Sequence, residues 1–463
     1  MNNSTAHGFS GFFRTSNPNF AFAIGLIAAA TLTLTAIALS GSELRNPGEN
    51  DISAIATSLV QGRGFTSGDE QHHPPTARRP PLYPFFVAAV YRIFGETPQT
   101  AKFAGGAVWA ATILVVFVTA RSIYDTRTAR VAAVLLAFYL PLVLFTTFVL
   151  TEVLATFLFA VCFYFLIRYE RGSGVAALVA AGISLGLAAL TRSAFLVVSP
   201  LILIWIYSVG RNHPKLPRAI LFIAVLALIL TPWAFRNWSL FDQVVLIDTF
   251  GGVAVFLGNN VETPIFHSWE VDRLKALAPI DSPRPESDAK RQVIAYRKAL
   301  SFVAHHPGRF VLLTGSKVMD YWETERIFYG VFRIGGYEGM SRPVALAITG
   351  LLGLSFMATV LLTAVGLKLT GLSPAARLAI LLAVGLTIIY SLSMSHSRYN
   401  MALIGVFVPF AAYGLLGLKD RVAGWRQSLK SGIPIGWWPV AACVVFLSAT
   451  WMRQIILDLP KLR

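Results

Sequence analysis

Two cysteines in 463 residues, Cys162 and Cys443, are too few for a disulfide framework or a cysteine-rich metal site. Both fall inside apolar runs, where they read as packing residues. Charge is scarce too: Asp, Glu, Lys and Arg make up 13% of the chain against 55% hydrophobic residues, which excludes an ordinary soluble domain. Acids number only 23, and they gather mainly in two polar stretches, 42–80 and 237–343. The chain has no internal repeat and no low-complexity tract. The basic residues behind the net charge of +16 are dispersed and accompany no RNA- or DNA-binding motif, so nucleic acid is not expected as a partner.

What the chain has is apolar length. About 20 apolar residues cross roughly 30 Å of hydrocarbon, and such runs stand at 20–41, 103–123, 131–149, 153–167, 175–190, 194–209, 219–235, 344–367, 376–394, 400–418 and 436–452. The expectation is an all-α integral membrane protein with about eleven transmembrane helices. The first run is too long for a signal peptide and no cleavage site follows it, so it reads as an uncleaved helix. An amphipathic segment at 82–94 suits the membrane interface, a helix is readable near 286–305, and 96–101 and 281–286 read as turns.

Lys and Arg in the short loops set the orientation. With a cytoplasmic N-terminus, one side receives Arg127, Arg130, Arg168, Arg171, Arg211, Lys215, Arg218, Lys368, Arg377, Lys419, Arg421, Arg426 and Lys430, while the opposite short loops hold only Arg192 and Arg398. This places both long polar loops, 42–102 and 237–343, outside the cytoplasm, in a bacterial inner membrane. The chain divides into an N-terminal module 1–236, an extracytoplasmic subdomain 237–343 of α or α/β type, and C-terminal helices 344–463. Part of the positive charge is this topology signal, and part meets anionic lipid head groups.

On that topology Glu49, Asp51, Arg78, Arg79, Glu152, Arg192, Arg236, His396 and Arg398 converge on one membrane face. Ionisable residues at such depth are expensive and mark substrate paths or ion pairs. A carboxylate can take a proton from a hydroxyl, and arginine forks hold phosphate, so the set suits a base beside an anionic leaving group. Each residue also has a plainer reading. Asp51 caps a helix starting near Ile52; Glu49 is a solvated loop acid; Arg79 stiffens a loop ahead of Pro80 and Pro81. Glu152 favours a helix dipole, the three deeper arginines snorkel, and His396 is structural. His72 and His73 lie near Asp69 and Glu70, but the spacing fits no zinc motif.

Several phrases in order resemble the GT-C superfamily of polyprenyl-phosphate-sugar-dependent glycosyltransferases, of the protein O-mannosyltransferase and lipid A aminoarabinose transferase kind. They are ENDISAIATSLVQGRGF at 49–65, RPPLYP at 79–84 with IFG at 93–95, TEVL at 151–154, LTR at 190–192 and PWAFRNW at 232–238. GGVAVFLGNN at 251–260, HPGRF at 306–310, Lys317 and HSRYN at 396–400 follow. The family's acidic motif usually continues with an aromatic residue, where this chain has Ile52. The resemblance implies a GT-C fold and inverting transfer of a sugar from a polyprenyl-phosphate donor to an envelope hydroxyl of glycolipid, lipid A, polysaccharide or protein. It implies Asp51 and Glu49 as catalytic carboxylates, and Arg78, Arg79, Tyr83, Glu152, Arg192, Arg236, His396 and Arg398 as the donor site. No cofactor is implied with certainty, and a divalent cation stays open. The rival from another class is a polytopic lipid or solute transporter, which would place polar residues and broken helices at the bilayer midplane.

Overall fold

The computed structural model describes residues 30, 33–34, 47–67, 74–209, 215–281, 287–333, 340–428 and 437–458, without side chains for 47–50, 333 and 419–428. Described helices are α1 (Pro47–Val60), α2 (Leu82–Phe94), α3 (Pro98–Ile123), α4 (Thr126–Ala137), α5 (Leu140–Phe145), α6 (Glu152–Glu170), α7 (Gly174–Thr191), α8 (Ser199–Val209) and α9 (Lys215–Phe241). The second half adds α10 (Phe250–Gly258), α11 (Arg273–Asp281), α12 (Asp288–His305), α13 (Pro307–Tyr321), α14 (Ile327–Arg333), α15 (Arg342–Thr370), α16 (Pro374–Leu392), α17 (Met401–Ser428) and α18 (Trp438–Asp458). Among the described residues there is no strand, only one isolated bridge, Thr66 to Pro75.

Local sequence explains many of the boundaries. Thr97 accepts from the Thr100 amide with Pro98 opening α3, and Ser373 accepts from Ala376 with Pro374 opening α16. Asp125 caps α4 and Ser287 caps α12, which realises the helix expected near 286–305. The amphipathic stretch 82–94 is α2, with Ile93 and Phe94 exposed at its end.

Among the described residues eight helices are long and apolar enough to span a membrane: α3, α6, α7, α9, α15, α16, α18 and the Ser397–Leu418 stretch that contains most of α17. The chain is an all-α, multi-pass membrane protein. Three of the eleven expected runs differ. The run 20–41 lies almost wholly outside the described residues. The run 131–149 is not one helix: α4 stops at Ala137 and α5 restarts with Pro141 in its first turn, because proline offers no amide to continue the helical bonding. The run 194–209 starts as a 3₁₀ turn over Ser193–Val198 and continues as the short α8, with Pro200 at its second position.

Loop contacts fix which helix ends share a face. At one end Arg171 donates to the Ile123 carbonyl (3.1 Å), the Tyr124 hydroxyl bonds Thr370, and Trp205 donates to the Pro374 carbonyl (2.7 Å). The opposite end collects the start of α6 and the ends of α7 and α16. Within the bundle α6 and the Ser397–Leu418 span are central, 72% buried each, whereas α9 and α18 are 28% and 22% buried and turn apolar side chains outward, as lipid-facing helices do. Helices α15 and α17 touch backbone to backbone: a Cβ on Gly366 would lie 1.9 Å from the Phe410 carbonyl oxygen, and one on Gly414 2.3 Å from that of Leu362. Small residues permit such close crossings in membranes.

Candidate active site

The first centre forms where α1 meets the proline-rich segment. Pro81 already has helical backbone angles ahead of α2, and Arg79, just before Pro80, reaches Asp51, whose Oδ2 accepts from Nε at 3.2 Å and Nη2 at 2.9 Å. Both side chains keep solvent access, 29% for Arg79 and 37% for Asp51. Because α1 begins at Pro47, Asp51 lies in its second turn and is not its cap. The side chain of Glu49 and the group Asp69, Glu70, His72 and His73 lie outside the described residues.

The second centre joins three span ends. Glu152 opens α6 with its side chain 2% exposed. Its Oε1 accepts from Arg192 Nη1 at 3.0 Å and sits 3.6 Å from Arg398 Nε. Both guanidinium groups lie over the Tyr399 ring, at 4.7 Å and 5.3 Å. Burial opposes charge on Arg192, but the Tyr390 and Tyr399 hydroxyls and Glu152 hold its pKa above the ordinary value. Glu325, buried nearby, also acts on Arg398 and Glu152, so two carboxylates accompany the two arginines. Glu152 Oε2 and Arg398 Nε are buried and have no hydrogen-bond partner among the described residues. An unfilled arginine donor suits an anionic oxygen.

The other expected residues fall elsewhere. Arg236 donates to the carbonyls of Thr76 (2.7 Å) and Phe65 (3.0 Å) and to Asn237 (2.9 Å), with its guanidinium 4.6 Å above the Trp233 ring. Its donors therefore anchor the first outer loop. Arg78 is exposed. Tyr83 is buried and stacks on Phe86 at 5.9 Å. His396 is half-buried; its Nδ1 accepts from the Arg398 amide at 3.1 Å, and its ring faces Trp269 and Tyr399. Burial, with Arg398, Arg326 and Arg192 nearby, pushes its pKa well below the ordinary range, so the ring is neutral at pH 7.

The sequence reading passed over the acids at 320–325. Asp320, Glu323 and Glu325 are all at most 1% exposed. Asp320 accepts from Arg453 (2.8 Å) and from Ser268, tying α18 to the end of α13, while Arg326 bridges Glu323 (2.6 Å) and Asp458 of α18 (3.2 Å). Glu325 accepts from the amides of Arg326 and Ile327, while burial raises its pKa. Three acids within six residues, next to Arg326, was the available signal. Among the described residues no group of three or more His, Cys, Asp or Glu side chains could hold a metal ion.

Lys317 explains the GNN phrase. Fully buried, its Nζ donates to Gly258 O (3.1 Å) and Asn259 Oδ1 (2.9 Å), while the Asn259 amide donates to Leu392 O. A Cβ on Gly258 would lie 2.1 Å from Ser393 O, so only glycine lets α10 rest on the end of α16. Burial pushes the Lys317 pKa from 10.5 down to about 7, against the pull of Asp320. Below about pH 7 the fold carries a buried ammonium. As pH rises from about 7 towards 10.5 the folded state sheds a proton that the unfolded state keeps, and the fold gains stability. The melting temperature of Lys317→Met minus that of wild type is therefore expected to fall between pH 7 and pH 10; a difference independent of pH would contradict a depressed lysine.

Residues 78–235, roughly a third of the chain, match the sequence model of the dolichyl-phosphate-mannose-protein mannosyltransferase family. A comparison with curated proteins finds no match. Among solved structures, the Archaeoglobus fulgidus oligosaccharyltransferase with a tethered acceptor peptide is similar at 16% identity and a TM-score of 0.49, over 95% of this chain and 54% of that one. This chain thus spans about half of that enzyme's length. ArnT from Cupriavidus metallidurans bound to undecaprenyl phosphate is similar at 13% identity and a TM-score of 0.45, over 90% and 82% of the two chains. The S. cerevisiae Pmt1–Pmt2 complex bound to its sugar donor follows at 18% and 0.39, over 51% and 35%. The matched family is named for mannosyl transfer from a dolichyl-phosphate sugar, in keeping with the glycosyltransferase group whose phrases the sequence resembles.

Proposed function

We propose that the protein is a membrane glycosyltransferase that moves a sugar from a polyprenyl-phosphate donor to an acceptor hydroxyl in the cell envelope. The observation that carries this reading is the pair Arg192 and Arg398 around Glu152 at the span ends, with the buried Arg398 Nε left without a hydrogen bond among the described residues. The matched family's name supports the same donor chemistry.

In this reading Arg192 and Arg398 hold the phosphodiester while Glu152 orients both forks. Arg79 releases Asp51, whose carboxylate takes the proton of the acceptor hydroxyl as its oxygen bonds to the anomeric carbon. The bond from that carbon to the phosphate oxygen breaks on the opposite face, polyprenyl phosphate leaves, and the configuration inverts. Glu49 supports the base. Residues 1–236 form the catalytic module, 237–343 cover the site from the extracytoplasmic side, and 344–463 complete the bundle. The ionised centres lie at helix ends, not at the midplane where a transporter would place them.

Mass spectrometry of envelope glycolipids and glycoproteins from a deletion strain is expected to show one sugar missing, restored by wild type but not by Arg398→Ala. Purified Arg398→Lys should bind undecaprenyl phosphate more weakly than wild type, because it keeps a charge but loses the fork. In intact spheroplasts an impermeant thiol reagent should label Asp281→Cys and spare Arg171→Cys. The reverse labelling, or an unchanged glycome, would sink the reading.

A further inference from the structure

Glu325 lies between α13 and α14, 1% exposed. Its Oε1 accepts from the amides of Arg326 (2.9 Å) and Ile327 (2.8 Å), which fixes the start of α14, and its Oε2 accepts from the hydroxyl of Ser397, the residue before Arg398, at 3.5 Å. Among the described residues these are its only hydrogen bonds. Arg326, next in the chain, turns to Glu323 and Asp458, so Glu325 has no cation paired to it there.

The groups that face it come from separate segments: Arg398 beyond Ser397, Glu152 at the start of α6, and Tyr139 between α4 and α5. Arg192 reaches the same place through Glu152, and His396 beside Ser397 is neutral at pH 7. Two arginines and two carboxylates balance. A lipid phosphodiester brings a third negative charge against two cations, and an uncompensated charge in a buried place is strongly unfavourable. One proton restores the balance. Of the two carboxylates, Glu152 is held by Arg192 at 3.0 Å and Arg398 at 3.6 Å, whereas Glu325 has only amides and a hydroxyl. Burial raises the Glu325 pKa against the pull of its amide donors and Arg398, and an anion beside Arg398 acts in the same direction as burial.

We propose that Glu325 is a positioning residue of the donor site whose carboxylate takes up a proton from solution as the lipid phosphate settles against Arg192 and Arg398. The proposal rests on the transferase reading. Once neutral, Glu325 still offers Oε1 to the two amides, so α14 keeps its start while the charge of Arg398 turns to the phosphate. When the bond from the phosphate oxygen to the anomeric carbon breaks, the phosphate gains a second negative charge, and a protonated Glu325 sets none against it. Donor binding is then tighter at low pH, and it weakens as pH rises through the range between the free and donor-bound pKa of Glu325.

The test is isothermal calorimetry on the full chain in detergent with undecaprenyl methyl phosphate, a diester whose single negative charge is fixed, in buffers of unequal ionisation enthalpy. Wild type should take up as much as one proton per lipid bound, and its affinity should fall by up to about tenfold per pH unit over part of the range from roughly pH 5 to 9, as one linked proton requires. Glu325→Gln, which keeps an oxygen for the two amides, should take up none, and its affinity should change less than about twofold over that range. Uptake that persists in Glu325→Gln would place the proton on Glu152 or a histidine and overturn the proposal. So would a wild type whose binding ignores pH and buffer. If Glu325→Gln does not fold, Glu325→Asp decides, because moving the carboxyl must move the midpoint of the pH dependence; an unmoved midpoint overturns the proposal equally. A wild type that binds neither this diester nor undecaprenyl phosphate at any pH would instead remove the transferase reading, and the linkage with it.

Discussion

Replacing Asp51 by Asn is expected to lower sugar transfer by about 10²–10⁴-fold, the usual share of a positioned general base, while folding and donor binding stay nearly intact. The substitution preserves shape and still lets Arg79 donate to the side-chain oxygen, but it removes the charge that accepts the proton. Glu49→Gln should lower transfer less. Both are measured as turnover of purified enzyme with a lipid-phosphate sugar, alongside affinity for undecaprenyl phosphate. Retention of more than roughly a tenth of wild-type turnover by Asp51→Asn, a smaller loss than general-base catalysis provides, would move the base to Glu49. Full activity of both variants would hand the case to the transporter.

The second large effect is on stability. Glu152 has a side chain 2% exposed, and its nearest cation is Arg192 at 3.0 Å. Arg192→Ala strands that carboxylate, and removing one partner of a buried pair typically costs about 3–5 kcal/mol, with the low end expected here because Arg398 remains nearby. Unfolding in mixed detergent micelles should show the loss, and Arg192→Leu combined with Glu152→Gln should recover much of it. A single variant as stable as wild type would mean that water or lipid reaches Glu152, and that the two arginines are not held by it.

Some of this was legible because it depends on neighbours in sequence. Apolar length announces spans without regard to partners, and Ser287, Asp125 and Thr97 mark helix starts by bonds to residues three places on. The break in 131–149 had a local cause in Pro141 and was still missed, since hydropathy averages over a proline that the backbone cannot ignore. The arginines were harder. Arg192, Arg236 and Arg398 look alike as residues at the ends of apolar runs, yet Arg236 spends its donors on two carbonyls of the first outer loop while the other two face Glu152.

The sequence by itself determined the membrane class, eight of the long spans and the gathering of acids and arginines between them, because hydrophobic length and capping act over a few to some twenty residues. Only the tertiary structure decided how that inventory is divided. It paired Asp51 with Arg79 and Glu152 with Arg192 and Arg398. It turned Lys317 and Asn259 into a clamp on the end of α16. Ion pairing and burial depend on distances across the bundle, and residues up to some 250 positions apart meet there only after the helices have packed.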